Sequence, residues 1–412
     1  MTRKAEAAPG LAGTPRPVEG KPARLAPHTL APDTLAARDA WASALEAVPR
    51  SRFLPDLMWP HDMATGETTP VDRARDPRAW QRHADADEPI VTQWDDGNHR
   101  GEAPGRSFTS SSSMPSLVSA MLADLDARPG QRALEIGTGT GWNAALLAHR
   151  LGTENVVTIE VDRAVADEAR RRLTDFGLPV RVVHGDGFLG HADGAPYDRV
   201  MATCGLRQIP YAWVAQVRPG GVLLVPWGTY YGPSEATARL VVAPDGRGAS
   251  GPFTRPVAFM RMRSQRLVWP RHDDYVPPGA LSAADTSSTA LTETQLLGTG
   301  SFDAVDFALG LRVPHVARNV DRRHDGQRAV WFYGLTDRSW AVVVFRDDRE
   351  RAKVYQAGPR RLWDEVADAH AWWVAHGEPA YDRFGLTVDE RGQHAWLDDP
   401  GQVIGRPQGV SG

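Results

Sequence analysis

Between residues 131 and 262, short apolar runs alternate with stretches of helical spacing, and this alternation constrains the fold more than any other feature of the sequence. The runs are RALEIG (132–137), NVVTIEV (155–161), VRVVHG (180–185), YDRVMATC (197–204) and GVLLVP (221–226). Nearly continuous apolar character in such short pieces is the pattern of strands covered on both faces. Helical segments at 142–151, 163–176 and near 211–217 separate them. Parallel strands need crossover connections, and right-handed crossovers put helices on both sides of the sheet. The fold class is therefore α/β, with a doubly wound, mostly parallel, Rossmann-like sheet. Two further strands, 238–243 and 257–262, are expected to close it.

The flanks read differently. Residues 1–34 are rich in Ala, Pro and Gly without apolar periodicity, and are expected to be a disordered tail. In 35–108 a helix carrying Leu35, Trp41, Leu45 and Val48, capped by Asp33 and stopped by Pro49, precedes a loop-rich region. That region holds an acidic patch, DADE (85–88), read as solvated surface, then PIVTQW as a short strand and DDGN as a turn. The sheet domain is taken as 109–263. In 264–412, AVWFY, WAVVVF and AKVYQ are separated by polar turns, a helix is expected over 360–376, and FGLTV with HAWL suggests one more hairpin. This segment is expected to be an additional small C-terminal α+β domain.

Composition narrows the function classes. The 47 basic and 51 acidic residues leave a net charge of −4, which gives no global field for nucleic acid or a membrane surface. A single cysteine, Cys204, removes intrachain disulfides and Cys-based zinc sites. It is read as a small buried filler. The first residues have no apolar core and no apolar run reaches membrane-spanning length, so a soluble, cytoplasmic protein is expected. The 13 histidines are scattered, and no metal is expected. Trp372 and Trp373 are read as one core and one surface aromatic.

Within the sheet, LEIGTGTGWN (134–143) places Gly137, Gly139 and Gly141 where a strand turns into a helix, with Thr138 between the first two. Glycine suits a backbone that must bend tightly and lie against a ligand. Glu135 stands inside the strand end, within reach of a ligand amine. Glu160 closes the second strand, about twenty residues past the glycines, where a carboxylate grips ribose hydroxyls; the bland alternative is a solvated acid at a helix start. HGDG (184–187) ends the third strand, with Asp186 and Gly187 set against an adenine ring. Upstream, TSSSSMPS (109–116) is either a polar connector or the holder of a working hydroxyl.

These glycines and strand-end acids together resemble the class I S-adenosylmethionine-dependent methyltransferases. The longer stretches MPSLVSAMLADLDARPGQRALEIGTGTGWNAALLAHRLG and VRVVHGDGFLGHADGAPYDRVMATCGLRQIPYAWVAQVRPGGVLLVPWG resemble the protein-L-isoaspartate O-methyltransferase family over about 100–263, and AVPRSRFLPD (47–56) is similar to its N-terminal helix and turn. The resemblance implies S-adenosylmethionine as cofactor, held by Glu135, Gly137, Thr138, Gly139, Gly141, Glu160, Asp186 and Gly187. It also implies a peptide or protein substrate bearing an Asp or isoAsp residue. In that family the residues before the core helix read approximately Ser-Ala-Pro-His-Met. Alignment on Met114 puts Ser110 at the serine that approaches the substrate carboxylate, with Thr109 and Ser111 as rivals, while Ser111, Ser112 and Ser113 replace Ala, Pro and His. The replaced Pro-His pair and the long C-terminal extension resemble elongated actinobacterial relatives from peptide-biosynthesis clusters, which implies an ordinary aspartate of a ribosomally made peptide as acceptor. Isoaspartate repair and a non-catalytic binding module are the alternatives.

Overall fold

The computed structural model describes residues 41–300 and 302–409. The expected tail 1–34, Asp33 and Leu35 lie outside them. Helix α1 (41–47) buries Trp41 and Ala44, and the Trp142 indole Nε1 donates to the Val48 carbonyl just beyond it (2.9 Å).

Where a loop-rich region is expected, a small antiparallel sheet is found: β1 (Leu57–Pro60), β2 (Val71–Asp72), β3 (Ile90–Trp94) and β4 (Phe108–Ser112), in the order β2-β1-β3-β4. Strands of two to five residues are too short to display periodicity. Helix α2 (Pro77–Asp85) starts where the Asp76 carboxylate accepts the Ala79 N–H (2.8 Å) and Pro77 fits the first turn. The serine run is strand β4, not a connector: Ser110 pairs with Gln93, Ser111 with Val91 and Ser112 with Ile90. Serine has little strand preference of its own, so pairing with β3 decides its conformation. The acidic patch does more than face solvent. Carbonyls of His83, Ala84, Ala86, Glu88 and Ser113 accept hydrogen bonds of 2.8–3.3 Å from the buried Arg50 guanidinium, which ties the end of β4 to the turn after α2.

Helix α3 (Pro115–Leu125) leads into the central sheet. Its parallel half is β5 (Ala133–Ile136), β6 (Val156–Glu160), β7 (Arg181–His184), β8 (Tyr197–Ala202) and β9 (Val217–Gly228), joined through α4 (Trp142–Leu151), α5 (Arg163–Asp175) and α6 (Tyr211–Ala215). Every residue of β5, β6 and β8 is buried, as two covered faces require. Strands β10 (Glu235–Val242) and β11 (Gly248–Val257) continue the sheet antiparallel. The strand expected at 257–262 thus lies earlier, at 248–257, where GASG hides it from a reading by apolar content.

The C-terminal region supplies α7 (His272–Tyr275), α8 (Ala280–Ala283), β12 (Asp285–Thr289), α9 (Glu293–Leu297), α10 (Ala304–Arg312), β13 (Val316–Val320), β14 (Gln327–Gly334), β15 (Trp340–Arg346), β16 (Ala352–Ala357), α11 (Leu362–Ala375), β17 (Phe384–Asp389), β18 (Gly392–Leu397) and β19 (Val403–Gly409). The expected meander is β14-β15-β16, inside a five-stranded sheet ordered β12-β16-β15-β14-β13. One face packs on α10 and α11 through Leu309, Leu362 and Val366; the segment carrying Tyr275, Val276 and Leu281 covers Trp331, Tyr333 and Trp340 on another. Residues 264–412 are not one separate unit, however. Strand β17 pairs with β11, Gly251 opposite Leu386, so β17-β18-β19 complete a ten-stranded central sheet. The hairpin covers what would otherwise be an open edge. Trp372 and Trp373 are both half-buried against the core rather than divided between core and surface. Among the described residues no helix is long and apolar enough to cross a membrane.

Candidate active site at the strand ends

From β5 the chain builds outward through β6 and β7, then returns to place β8 and β9 on the other side. The crevice at that reversal, beyond the carboxyl ends of the strands, is where ligands bind in such sheets. A cleft opens there, and its floor is made by the β5–α4 turn and the ends of β6 and β7.

Gly137 and Gly139 have φ of 99° and 54°. A Cβ on Gly137 would come within 2.5 Å of Thr203 Oγ1, and one on Gly139 within 3.3 Å of the Ser111 carbonyl, so both positions require glycine. Thr138 lines the floor and its hydroxyl meets that of Thr158 (2.7 Å). Gly141 does not line the cleft. At φ 89° it caps α4, and a Cβ there would contact Leu173 and Ala169 of α5 (3.4 and 3.5 Å). Its role is close helix packing.

Glu160 reaches the cleft from the end of β6. Its Oε2 accepts the Gly139 N–H (3.0 Å) and its Oε1 accepts the Asp162 N–H (3.1 Å). Each oxygen keeps a further lone pair. Asp186 and Gly187 line the cleft at the end of β7, where the Asp186 carboxylate accepts the Phe188 N–H (3.0 Å).

Glu135, expected beside a ligand amine, is fully buried off the cleft wall. It accepts hydrogen bonds from Asn143 Nδ2 and Thr158 Oγ1, both 2.6 Å. Burial pushes its carboxyl up to about 7, those two hydrogen bonds opposing the rise and the Glu160 charge adding to it. Asn143 lies between it and the cleft, with its Oδ1 buried and unpartnered.

The roof comes from far away in sequence: β4 and the segment 259–263 with Arg266. Thr109, Ser110 and Ser111 all line the cleft. Ser110, 8% exposed, accepts from the Thr92 hydroxyl (3.2 Å) and keeps its own proton for another acceptor. Thr109 donates to Gln93 Oε1 (2.9 Å) and accepts the Asp96 N–H (3.1 Å), so its hydroxyl is engaged. Sequence reasoning missed Ser112, whose buried hydroxyl has no partner among the described residues, and also Asn143, Arg261, Arg263 and Arg266. The alternating FMRMRSQR carried the signal for the arginines. Arg263 clamps the roof to the rest, reaching Asp96 (2.9 Å) and Asp162 (3.0 Å), and Arg266 also pairs with Asp96 (2.7 Å). The Arg266 hydrogen bond holds the Asp96 carboxyl below its ordinary range, against partial burial and with help from the Arg263 charge.

Among the described residues no histidine lines the cleft. Cys204 does line it, but burial, with the Glu160 and Asp186 charges, pushes its thiol up to about 12, so it is a poor nucleophile at neutral pH. Among the described residues no cluster of three or more His, Cys, Asp or Glu is arranged for a metal. Hydroxyls, arginines and carboxylates without a general base suit an acceptor that is already ionised.

Residues 99–240 match the family described as Protein-L-isoaspartate(D-aspartate) O-methyltransferase (PCMT). The chain is 41% identical over 120 residues to a protein-L-isoaspartate O-methyltransferase of Pyrococcus horikoshii, covering 29% of this chain and 54% of that one. A Methylibium petroleiphilum protein of the same name is 38% identical over 151 residues, 36% of this chain and 55% of its own. The chain thus spans about half the length of these curated relatives. A solved protein-L-isoaspartate O-methyltransferase aligns with 89% of this chain and 99% of its own at 21% identity and a TM-score of 0.47. A Plasmodium falciparum structure described as a complex with S-adenosyl-L-homocysteine aligns with 55% of this chain and 91% of its own, at 13% identity and a TM-score of 0.40.

Proposed function

Taking residues 99–240 as a region of the protein-L-isoaspartate O-methyltransferase family, we propose that the protein is an S-adenosylmethionine-dependent carboxyl O-methyltransferase acting on an aspartyl residue of a peptide. The observation that carries this reading is the meeting of the serine strand and the glycine turn across the cleft. The Ser111 carbonyl and the Ser110 hydroxyl lie 3.3 and 3.9 Å from where a Gly139 Cβ would sit.

The cleft fits the cofactor in two respects. The free lone pairs of Glu160 suit ribose hydroxyls, and the unpartnered Asn143 Oδ1 suits an ammonium group. S-adenosylmethionine supplies an electrophilic methyl group when bound. The chain supplies alignment. A carboxylate with an ordinary pKa near 4 is ionised at neutral pH, so no general base is required. Ser110 donates a hydrogen bond that orients one carboxylate oxygen, and the roof excludes water that would solvate the other.

The preferred acceptor is an ordinary L-aspartate in a ribosomally made, ring-constrained peptide. The replaced Pro-His pair supports this, as does the five-stranded C-terminal unit, for which we propose a peptide-holding role. A ring limits the freedom a peptide loses on binding. The methyl ester then loses methanol as the next backbone nitrogen closes a succinimide. Repair of isoaspartyl residues is the second reading, favoured by the names of the curated relatives. Mass spectrometry on matched aspartyl and isoaspartyl peptides, linear and cyclised, tests both. The cyclic normal-Asp peptide should end with the net loss of one water; preferential methylation of a generic linear isoaspartyl peptide would restore repair as the function.

A further inference from the structure

Beside the cleft, two half-buried arginines, Arg207 and Arg261, stand near one buried carboxylate, Glu235, and only Arg261 pairs with it. Beyond β8, Gly205 forms a bridge with Arg261 and Leu206 with Trp227, and the chain bends at Arg207. The Gly205 N–H donates to the Met260 carbonyl (2.8 Å), and the Met262 N–H to the Gly205 carbonyl (3.0 Å). A Cβ on Gly205 would lie 2.9 Å from Arg261 Nη1, and Arg207 follows two residues on, close enough for its charge to act on Arg261. Arg261 is ion-paired with buried Glu235, whose Oε2 accepts the Phe259 N–H (2.9 Å). Arg207 forms no ion pair with any described residue, and its Nε and Nη1 are buried without hydrogen-bond partners. It lies over the Tyr230 ring at 4.8 Å, and that ring stacks with His315. Burial pulls its guanidinium down to about 10, and burial together with the Arg207 charge lowers Arg261 further.

Two cations and one carboxylate leave a single uncompensated positive charge, with two of the Arg207 guanidinium nitrogens shielded from water. A buried charge without a partner is costly, and a planar guanidinium fork matches a carboxylate in two-point contact. We infer that Arg207 and Arg261 form a subsite for a second carboxylate of the peptide substrate, separate from the one that accepts the methyl group. This rests on the carboxyl-methylation reading above. The acceptor itself is a poor occupant, because a two-point guanidinium contact withdraws electron density from the attacking oxygen and methylation would leave the cations unpaired again. The excess of one charge matches a monoanion better than a phosphate. Arg261 lines the cleft and Arg207 does not, so this carboxylate enters through the wall at Arg261. It is either an acidic side chain near the acceptor or the terminal carboxylate of the peptide.

The full chain loaded with S-adenosylhomocysteine is titrated with acetate, following arginine Nε–H resonances by NMR, with R207Q identifying the Arg207 signal. A saturable shift of that signal, absent with chloride at equal ionic strength, is the expected result. No shift, or an equal shift with chloride, overturns the subsite. Calorimetry then compares three peptides with one acceptor aspartate: Glu nearby with an amidated terminus, Gln nearby with a free terminus, and Gln nearby with an amidated terminus. One of the acidic forms should bind about tenfold more tightly than the neutral one, identifying the source, and R207Q should flatten the difference. R207K keeps the charge without the fork and should retain part of the preference, separating lost recognition from a lost fold. Equal affinities overturn the proposal. The acetate arm involves no methyl transfer, so an intact acetate response with no peptide methylated would fail the activity and leave the anion site standing.

Discussion

The floor and the roof of the cleft are built by opposite means. The floor is local: residues 137–139 and the ends of two neighbouring strands, all held by backbone pairing in the parallel sheet. The roof brings together β4 and Arg263, which are distant in sequence, and is clamped to the rest by the Arg263 ion pairs with Asp96 and Asp162. A cofactor that must sit in one pose is served by rigid backbone. A substrate that must enter and leave is served by contacts that can break. Changes in the floor should therefore appear in stability and cofactor affinity, and changes in the roof in turnover and salt dependence.

The largest effect is expected below the floor. Glu135 holds its proton up to about pH 7 in the folded chain, against an ordinary value of 4.5. The folded state thus binds more protons, and stability falls as pH rises from the lower value through the upper one, then levels. The span is on the order of a few kcal/mol. Glu135→Gln should flatten this slope in denaturant unfolding followed across that window; an unchanged slope would locate the titration elsewhere.

Glu160→Ala should weaken S-adenosylmethionine binding by roughly 1–3 kcal/mol, through loss of charge-assisted hydrogen bonds and of the anchor on the Gly139 N–H. Unchanged affinity in calorimetry would remove Glu160 from the cofactor floor.

Ser110→Ala should lower methyl transfer about tenfold with cofactor affinity nearly intact, the value of one hydrogen bond to a charged group. Ser111→Ala is the control, since the backbone carbonyl of that residue faces the glycine turn. If it is the damaging change, the carboxylate sits one residue further along β4.

The smallest effect is expected from Arg263→Ala. Its two ion pairs are partly exposed, so about 1 kcal/mol or less of stability should be lost. Cofactor release in stopped-flow should become faster and less dependent on salt. An unaltered salt dependence would mean that these pairs do not hold the roof closed.

The parallel half of the sheet and the floor were legible in the sequence because their signals are local. Apolar runs mark β5 to β9, and glycines mark a turn whose φ no other residue adopts easily. Two residues of the floor motif needed tertiary structure. Glu135 and Gly141 sit in the right motif, yet Asn143 stands between Glu135 and the cleft, and α5 lies against Gly141.

The roof, β11 and the docking of β17-β18-β19 on the central sheet were decided by tertiary structure alone. Serine, glycine and alternating Met-Arg carry little intrinsic preference, and their conformation follows from the strand or carboxylate that meets them. The buried charges make the same point. The sequence contains both Arg50 and Arg207, but only the fold surrounds the first with five carbonyls and leaves two nitrogens of the second unpartnered. Burial and partnership belong to the assembled chain, because water is excluded by neighbours that lie far apart along it.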